Sequence, residues 1–189
     1  MTVLRDFQLV GQDLYASGLN NSHSGNMSVR NNRMMAITRS GSMLHRLEYS
    51  DIIETLIDGE DSQSALASRE RPVHRAIYLQ TGADAIVHAH PPHLIALSLY
   101  CRSFMPVDAE GKYFFARGIP VIEVNNAIAS DEVAAKVAPL LCDVPVVIVR
   151  GHGTFAAGSS LEDCFHYTSS LEHSARIALI NNQLSKTLT

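Results

Sequence analysis

The chain has 189 residues, of which 46% are hydrophobic and 18% are charged, and its formal net charge is −4. This length suits one domain with a proper hydrophobic core, and we expect residues 1–189 to form it. The slightly acidic balance excludes a basic nucleic-acid-binding surface and the apolar content excludes a long disordered tail, so small molecules are the expected partners.

The first third of the chain predicts a helix followed by a hairpin. Apolar residues recur at helical spacing over residues 2–18, and Gly18 suits the end of that helix. Two strand patterns, 27–30 and 34–38, flank an asparagine pair that is typical of a hairpin turn. A loop rich in hydrogen-bond donors, a third strand and an exposed polar segment are predicted over residues 39–42, 52–57 and 58–68.

The rest of the chain alternates between helix and strand patterns. Helices are predicted over residues 70–80, 92–101, 130–142 and 160–184. Strands are predicted over residues 85–90, 120–124, 144–149 and 154–157. A hairpin followed by this alternation indicates an α/β fold with one mixed sheet and helices on its faces.

Three histidines follow two of the apolar strand patterns. His88 and His90 stand at i and i+2 of a strand that ends at two prolines, so both side chains point to the same face. His152 follows the 144–149 pattern between two glycines, which allow close approach of the backbone. Three imidazoles with an open fourth position are typical of catalytic zinc. The sequence therefore predicts a three-histidine metal site, although a single His-x-His pair would also suit hydrogen bonding in a core.

Glu70 is the candidate base for such a site. It lies where a loop meets a predicted helix, shortly before the strand that carries His88. The alternative is an acid that merely complements the positive end of the helix dipole. His74, four residues later, shares a helix face with Glu70 and is either a hydrogen-bonding support of the site or a packed polar residue.

Five motifs, in this order, resemble the class II aldolase/adducin family, and within it the zinc-dependent sugar-phosphate aldolases typified by L-fuculose-1-phosphate aldolase. Together they cover nearly the whole chain. The resemblance implies a single-domain, three-layer αβα fold with a central mixed, largely antiparallel sheet. The motifs are Ser24–Arg30, Ile37–Gly41, Ser68–Glu70 with His74 following, His88–His90 and Gly151–Gly153.

The resemblance also implies roles for individual residues. His88, His90 and His152 match the three zinc ligands, and Glu70 matches the acid that serves as base and can occupy the fourth position of the metal. One zinc ion per subunit is implied, with iron, cobalt or manganese as alternatives. The residues that match phosphate-binding positions are Asn26, Ser40, Gly41 and Ser68.

The implied reaction is reversible cleavage of a ketose 1-phosphate similar to L-fuculose 1-phosphate. The products would be dihydroxyacetone phosphate and a small aldehyde, formed through a metal-stabilised enediolate that exchanges a proton with Glu70. By resemblance the chain is a homotetramer with active sites at subunit interfaces, and its partner is a small phosphorylated sugar.

The chain departs from the family pattern at two arginines and at the proton donor. Arg69 stands where the aldolases have a second phosphate-binding serine, and Arg39 stands where a proline is common. Each arginine either holds phosphate or carboxylate through paired hydrogen bonds or is a solvated surface residue. The family's proton-donating tyrosine comes from a neighbouring subunit, and Tyr113 and Glu110 are both candidates for it; Tyr113 also suits an interface or core position.

Other functions on the same scaffold stay open. Sugar-acid-phosphate decarboxylases, which two arginines would favour, and methylthioribulose-phosphate dehydratases are the enzymatic alternatives. Pentulose-phosphate 4-epimerases share the scaffold but carry an aspartate where this chain has Glu70, so the sequence does not favour that activity. A non-enzymatic, adducin-like interaction module is a further alternative, but such modules lack the zinc site that the histidines and Glu70 predict.

Nothing in the sequence predicts export or membrane insertion. The first ten residues are amphipathic rather than continuously apolar, and no stretch reaches the ~18 apolar residues of a membrane span. Cys101, Cys142 and Cys164 are odd in number and widely spaced, which favours reduced thiols. We therefore expect a soluble, cytoplasmic protein with no membrane partner.

Overall fold

The computed structural model describes residues 3–187, and its centre is one mixed sheet. The strands are β1 (Asn26–Asn31), β2 (Met34–Thr38), β3 (Ile52–Leu56), β4 (Ala85–Ala89), β5 (Ser103–Phe104), β6 (Ile119–Ile122), β7 (Val146–Val149) and β8 (Gly153–Gly158). Their order across the sheet is β3-β2-β1-β4-β8-β7-β6-β5. Only β6 and β7 pair in parallel, so the expected mixed, largely antiparallel sheet is confirmed.

Helices cover both faces of this sheet. They are α1 (Val3–Ala16), α2 (Arg71–Gln80), α3 (Pro92–Ser98), α4 (Ala109–Phe114), α5 (Asp131–Leu140) and α6 (Leu161–Thr187), and short 3-10 turns occur at Leu44–Arg46, Tyr49–Asp51 and Ser64–Leu66. One buried apolar cluster joins the sheet to α1, α3 and α6, and a second joins it to α2 and α5. This is the predicted three-layer αβα arrangement.

Alternation along β4 explains how one strand serves both clusters. Val87 packs in the cluster of α1 and α6, whereas Ile86 packs in the cluster of α2 and α5. His88 lies on the same face as Ile86 because it is two residues further along the strand. The α2 side of the sheet therefore carries the first predicted metal ligand.

The predicted element boundaries agree with the structure to within a few residues. Gly18 has a φ of +69°, and it follows α1 as a left-handed residue that glycine adopts without strain. Asn32 has a φ of +56° in the β1–β2 turn, as an asparagine hairpin requires. Ser130 caps α5 because its hydroxyl oxygen accepts a hydrogen bond from the Val133 N–H.

One strand and one helix were not predicted, and the buried face of α6 includes a polar residue. The strand β5 has two residues and α4 has six, which is too short for a periodic signal. Along α6, Phe165 is only half-buried, while Cys164 and Thr168 are fully buried. The Thr168 hydroxyl donates to the carbonyl oxygen of Cys164, which satisfies a polar group inside the apolar layer.

Among residues 3–187, no helix combines the length and apolar character that crossing a membrane requires.

Candidate metal centre

The sheet brings the three predicted histidines together. His88 lies near the end of β4, His90 follows that strand, and His152 lies in the turn between β7 and β8. Since β8 pairs with both β4 and β7, this turn lies beside the end of β4. One ligand nitrogen from each ring lies within 4.8 Å of the others.

Small residues make this approach possible. A Cβ atom at Gly153 would lie 2.3 Å from the carbonyl oxygen of Ala89, so only glycine fits there. The Asn20 side-chain oxygen accepts a hydrogen bond of 3.0 Å from the His90 N–H and holds the chain as it leaves β4. This role of Asn20 was not predicted, because an asparagine shortly after a helix is also ordinary turn chemistry.

The hydrogen bonds of His88 define which of its nitrogens is free. Its Nδ1 lies 2.9 Å from the carbonyl oxygen of Thr154, which only accepts, so Nδ1 carries the proton. The Nε2 lone pair is then exposed to the His90 Nε2 at 2.9 Å. The Nδ1 of His152 is buried without a hydrogen-bond partner among the described residues. Ring nitrogens of three imidazoles that lie this close together fit a cation placed between them.

All three imidazoles are held in the neutral form that binds metals. Burial, together with the neighbouring His90 and His152, holds the pKa of His88 well below its ordinary value. Burial and His152 lower the pKa of His90 to about 4, and burial also lowers the pKa of His152. Tetrahedral zinc with imidazole ligands places neighbouring ligand nitrogens roughly 3.3 Å apart. The cluster, with one pair at 2.9 Å and all ligand atoms within 4.8 Å, fits that size.

Glu70 lies beside the histidines but outside their three-nitrogen cluster. It is the residue before α2, and its Oε1 accepts a hydrogen bond of 3.0 Å from the Ala129 N–H. Its Oε2 is buried and has no partner among residues 3–187. Burial raises the pKa of Glu70, and the bond from Ala129 and the charge of Arg69 oppose that rise. Oε1 is therefore held in place by Ala129, and Oε2 is available to exchange a proton.

Ala129 makes a contact in the candidate site that was not predicted. It has a φ of +51°, which is rare for alanine, and this turn aims its N–H at Glu70. A backbone donor leaves no side-chain signal, and the two residues are 59 positions apart. No pattern in the sequence would have paired them.

A pocket of about 360 Å³ joins the histidines to the predicted anion site. His88, His90, His152 and Glu70 form one part of its wall, and Arg39 also lines it. The other predicted site residues that line this pocket are Asn26, Ser40, Gly41, Ser68 and Arg69. A larger cavity, about 650 Å³, lies near the starts of α1 and α6, and its lining carries carboxylates and Arg30 rather than histidines.

The two candidates for the proton-donating acid lie away from this pocket within one chain. Tyr113 is on α4 with 81% of its surface exposed, and its ring contacts Phe114. Glu110, on the same helix, lines a separate small cavity beside α6. A single chain therefore brings together the predicted metal and anion residues but not the predicted acid.

Three other histidines, His74, His93 and His45, have surroundings of their own. His74 is fully buried and its Nε2 lies 2.7 Å from the Asn26 side-chain oxygen, so its side chain contacts a predicted phosphate-binding residue rather than the Glu70 carboxylate. The Nδ1 of His93 lies 2.6 Å from the Glu172 carboxylate. His45 stacks on Tyr15, outside the pocket.

Comparison with known proteins relates this geometry to one family. The family model of the Class II Aldolase and Adducin N-terminal domain matches residues 5–179. The crystal structure of L-fuculose-1-phosphate aldolase from Thermus thermophilus superposes with a TM-score of 0.91 at 35% identity, covering 97% of this chain and 95% of that one.

Two curated relatives carry other activities. Methylthioribulose-1-phosphate dehydratase from Acidiphilium cryptum is 31% identical over 182 residues, which are 89% of this chain and 85% of the relative. 3,4-Dihydroxyphthalate decarboxylase from Arthrobacter keyseri is 31% identical over 65% of this chain, and the match spans about half (51%) of that enzyme. Relatives of this chain thus include an aldolase, a dehydratase and a decarboxylase.

Proposed function

Because this chain belongs to the Class II Aldolase and Adducin N-terminal domain family, we propose that it is a metal-dependent lyase, and specifically an aldolase that cleaves a ketose 1-phosphate. The products are dihydroxyacetone phosphate and a small aldehyde, as from L-fuculose 1-phosphate. The observation that carries the proposal is one pocket in which three imidazoles, a buried carboxylate with an unpartnered oxygen and the predicted phosphate-binding residues meet. The likeness to the Thermus aldolase, at 35% identity over 97% of the chain, supports this choice of reaction.

His88, His90 and His152 would hold a divalent cation, zinc in the first instance, through their free ring nitrogens. When bound there, the cation would draw electrons from a substrate carbonyl and make heterolytic cleavage at the neighbouring carbon easier. The Thr154 carbonyl oxygen keeps the proton of His88 on Nδ1, which leaves Nε2 as the donor atom.

Glu70 moves the proton in this proposal. Its Oε1 is fixed by Ala129, so its Oε2 is the atom that takes a proton from the substrate or returns one to carbon. Burial raises the pKa of this carboxyl, which lets it hold the proton between two steps.

The anion end of the pocket would hold the substrate phosphate. Ser40 and Ser68 offer hydroxyl groups, and Asn26 offers a side-chain amide. Gly41 has a φ of +81° and carries no side chain, so an anion can approach its backbone closely. Arg69 adds a guanidinium, which binds phosphate or carboxylate through paired hydrogen bonds.

The acid that protonates the departing aldehyde would come from a second subunit. Tyr113 is 81% exposed on α4, and a side chain of this kind is available to a neighbouring chain. We therefore propose a homotetramer of one-domain subunits in which Tyr113 completes the pocket of the adjacent subunit.

Dehydration of a phosphorylated ketose is the second candidate, because the Acidiphilium dehydratase is 31% identical over 89% of this chain. Aldol cleavage, loss of water beside a carbonyl and decarboxylation share one chemical problem: each places negative charge on the carbon next to an electron-withdrawing group. The same Glu70 and the same anion pocket would serve any of them. The reaction is therefore decided by substrate rather than by the metal ligands.

A substrate panel tests the proposal. The metal-loaded protein is given L-fuculose 1-phosphate, other ketose 1-phosphates, methylthioribulose 1-phosphate and 3,4-dihydroxyphthalate, with a chelator-treated sample as the control. We expect chelator-sensitive release of dihydroxyacetone phosphate from at least one ketose 1-phosphate. Turnover of only the dehydratase or decarboxylase substrate would overturn the aldolase assignment, and no turnover of any of them would overturn the lyase assignment.

A further inference from the structure

A continuous row of buried hydrogen bonds lies behind the anion end of the pocket. The Tyr78 hydroxyl lies 2.7 Å from the Ser28 hydroxyl, and the Ser28 hydroxyl lies 2.7 Å from His74 Nδ1. On the other side of the ring, His74 Nε2 lies 2.7 Å from the Asn26 side-chain oxygen. Asn26 is the member of this row that lines the pocket.

The secondary structure places these four side chains opposite one another. Asn26 and Ser28 are two residues apart on β1 and so share one face of the sheet. His74 and Tyr78 are four residues apart on α2 and so share one face of the helix. Two residues of strand advance by roughly 6.6 Å and four residues of helix by roughly 6 Å, so the two pairs match in length.

The hydrogen bonds in this row can have two donor-to-acceptor directions, depending on which nitrogen of His74 carries hydrogen. Because the row is buried, only one of the two directions is favourable. Burial lowers the pKa of His74 to about 3, so the ring is neutral and carries a single N–H. If Nδ1 carried it, Nδ1–H would donate to Ser28, and only one of the Ser28 and Tyr78 hydroxyl groups could donate to the other, so one buried hydroxyl proton would have no acceptor among residues 3–187. Buried donors are rarely left without an acceptor.

With the proton on Nε2 every member is satisfied. Tyr78 O–H donates to Ser28, Ser28 O–H donates to His74 Nδ1, and His74 Nε2–H donates to the Asn26 oxygen. Burial also raises the pKa of the Tyr78 hydroxyl, so the first donor keeps its proton. The Arg30 guanidinium lies 4.9 Å from the centre of the Tyr78 ring and donates to the Tyr78 carbonyl oxygen, which holds this end in place.

We infer that His74 is a positioning residue that turns the Asn26 amide so that its NH₂ group, and not its oxygen, faces the pocket. An amide oxygen in that place would repel an anion, whereas the NH₂ group donates to it. The orientation of Asn26 would thereby make this end of the pocket selective for phosphate or carboxylate. That consequence rests on the proposed function, whereas the orientation itself rests only on the hydrogen bonds.

The first test measures the proton position on His74 without any substrate. In protein labelled with ¹⁵N-histidine, two-bond correlation spectra identify which ring nitrogen carries hydrogen, and the His74 signals are those lost in His74→Gln. We expect the Nε2–H form near neutral pH. The Nδ1–H form would overturn the inference whatever reaction the protein catalyses.

The second test compares two substitutions of similar size, with inorganic phosphate as the probe. In His74→Gln the new amide can still donate to Asn26, whereas in His74→Met the Asn26 oxygen loses its donor. We expect calorimetry to give phosphate affinity within about threefold of wild type for His74→Gln and at least about tenfold weaker for His74→Met. Equal binding by the two variants, with equal thermal unfolding, would overturn the positioning role.

The two tests separate the inference from the proposed function. A wild-type protein with the Nε2–H form that binds no inorganic phosphate would overturn the proposed anion site and, with it, the phosphate role of Asn26. The orientation of Asn26 would still be supported by the position of the His74 proton.

Discussion

At the scale of single residues, Glu70 bears most of the proposed chemistry, and the substitution Glu70→Gln isolates it. This change keeps the size of the side chain and removes the proton-accepting oxygen. Because Glu70 lies outside the three-histidine cluster, we expect metal content to stay the same while turnover falls by about 10²–10⁴-fold. Metal analysis, turnover and deuterium exchange into dihydroxyacetone phosphate are measured together.

The control for this variant is Glu54→Gln, since Glu54 is exposed on β3 and lies outside the pocket. Its turnover should equal that of wild type. Retained proton exchange in Glu70→Gln would remove Glu70 from the role of base.

The second prediction for a single residue concerns the effect of Arg69 on substrate binding. Arg69 lines the pocket and is exposed to solvent, so in the proposed site it would bind the anion rather than stabilise the fold. We expect Arg69→Ser to raise KM for a phosphorylated substrate about five- to tenfold with little change in kcat. This result is typical of a contact that binds the ground state and the transition state equally. Steady-state kinetics would be compared with Arg33→Ser, an exposed arginine in the β1–β2 turn. An unchanged KM would show that Arg69 does not bind the anion.

The site residues that could be predicted are those whose side chains form a local pattern. His88 and His90 are visible because strand spacing places them on one face, and His152 is visible because glycines flank it. Asn20 acts through a hydrogen bond to His90, which lies 70 positions away along the chain. Ala129 acts through a hydrogen bond to Glu70, which lies 59 positions away. Contacts at that separation follow from the sheet order and leave no mark in the sequence beside them.

At the scale of elements, the start of α3 is held by a side chain from α6. The two carboxylate oxygens of Glu172 accept hydrogen bonds of 3.0 Å from the backbone N–H groups of His93 and Leu94. These are first-turn donors that have no partner within their own helix. Because His90 lies just before α3, this contact also fixes the chain that carries a proposed metal ligand.

We expect Glu172→Ala to lower the free energy of unfolding by about 1–3 kcal/mol and to weaken metal binding. Urea denaturation and metal titration measure the two effects. Glu162→Ala, at the exposed first turn of the same helix, should cost less than about 1 kcal/mol and leave metal binding unchanged. Equal stability of the two variants would contradict the role given to Glu172.

The contact between α2 and β1 predicts a dependence of stability on pH. His74 has a pKa of about 3 in the folded protein because of burial, against an ordinary value of 6.5. Between these values the unfolded chain binds a proton that the folded chain does not, so stability falls as pH drops below 6.5. This residue alone should contribute a loss of about 1.4 kcal/mol per pH unit.

Urea unfolding of wild type and His74→Gln at pH 7.5 and pH 5 isolates this contribution. The other histidines are the same in both proteins, so the difference belongs to His74. We expect wild type to lose about 2 kcal/mol more than the variant over this range. Parallel losses would contradict a neutral His74 in the folded state.

Elements could be predicted where a pattern was long enough to be periodic. The helix α2 and the strand β4 were found because their apolar residues repeat over several positions. The strand β5 and the helix α4 are too short to repeat. On α6, the polar residues Thr168 and Ser174 are buried among apolar ones. The Thr168 hydroxyl bonds to the backbone of its own helix, and a search for apolar periodicity does not detect a buried residue of this kind.

At the scale of the whole molecule, the sheet order creates the site. The alternation of helix and strand patterns predicts a mixed sheet with helices on both faces, and the family resemblance adds the three layers. The placement of β4 between β1 and β8 brings Asn26 opposite His88 and brings the β7–β8 turn beside both. That order depends on pairings between distant segments, which patterns within single segments do not specify.

The reaction is less determined than the fold for a chemical reason. A cation held by imidazoles, one movable proton and an anion pocket serve aldol cleavage, dehydration and decarboxylation alike. In the proposed site, the features that would separate these reactions are the arginines of the pocket and an acid supplied by a second subunit. Arg69 and Tyr113 are both exposed in one subunit, so their roles depend on substrate and assembly.

The central claim is that His88, His90 and His152 hold one divalent cation, and metal content tests it most directly. Purified wild type, His90→Ala and His173→Ala, which changes an exposed histidine of α6, are dialysed against zinc and analysed by plasma mass spectrometry. We expect about one tightly bound ion per chain in wild type and in His173→Ala, and a nearly complete loss in His90→Ala. A wild-type protein without bound metal, or an undiminished metal content in His90→Ala, would contradict the claim.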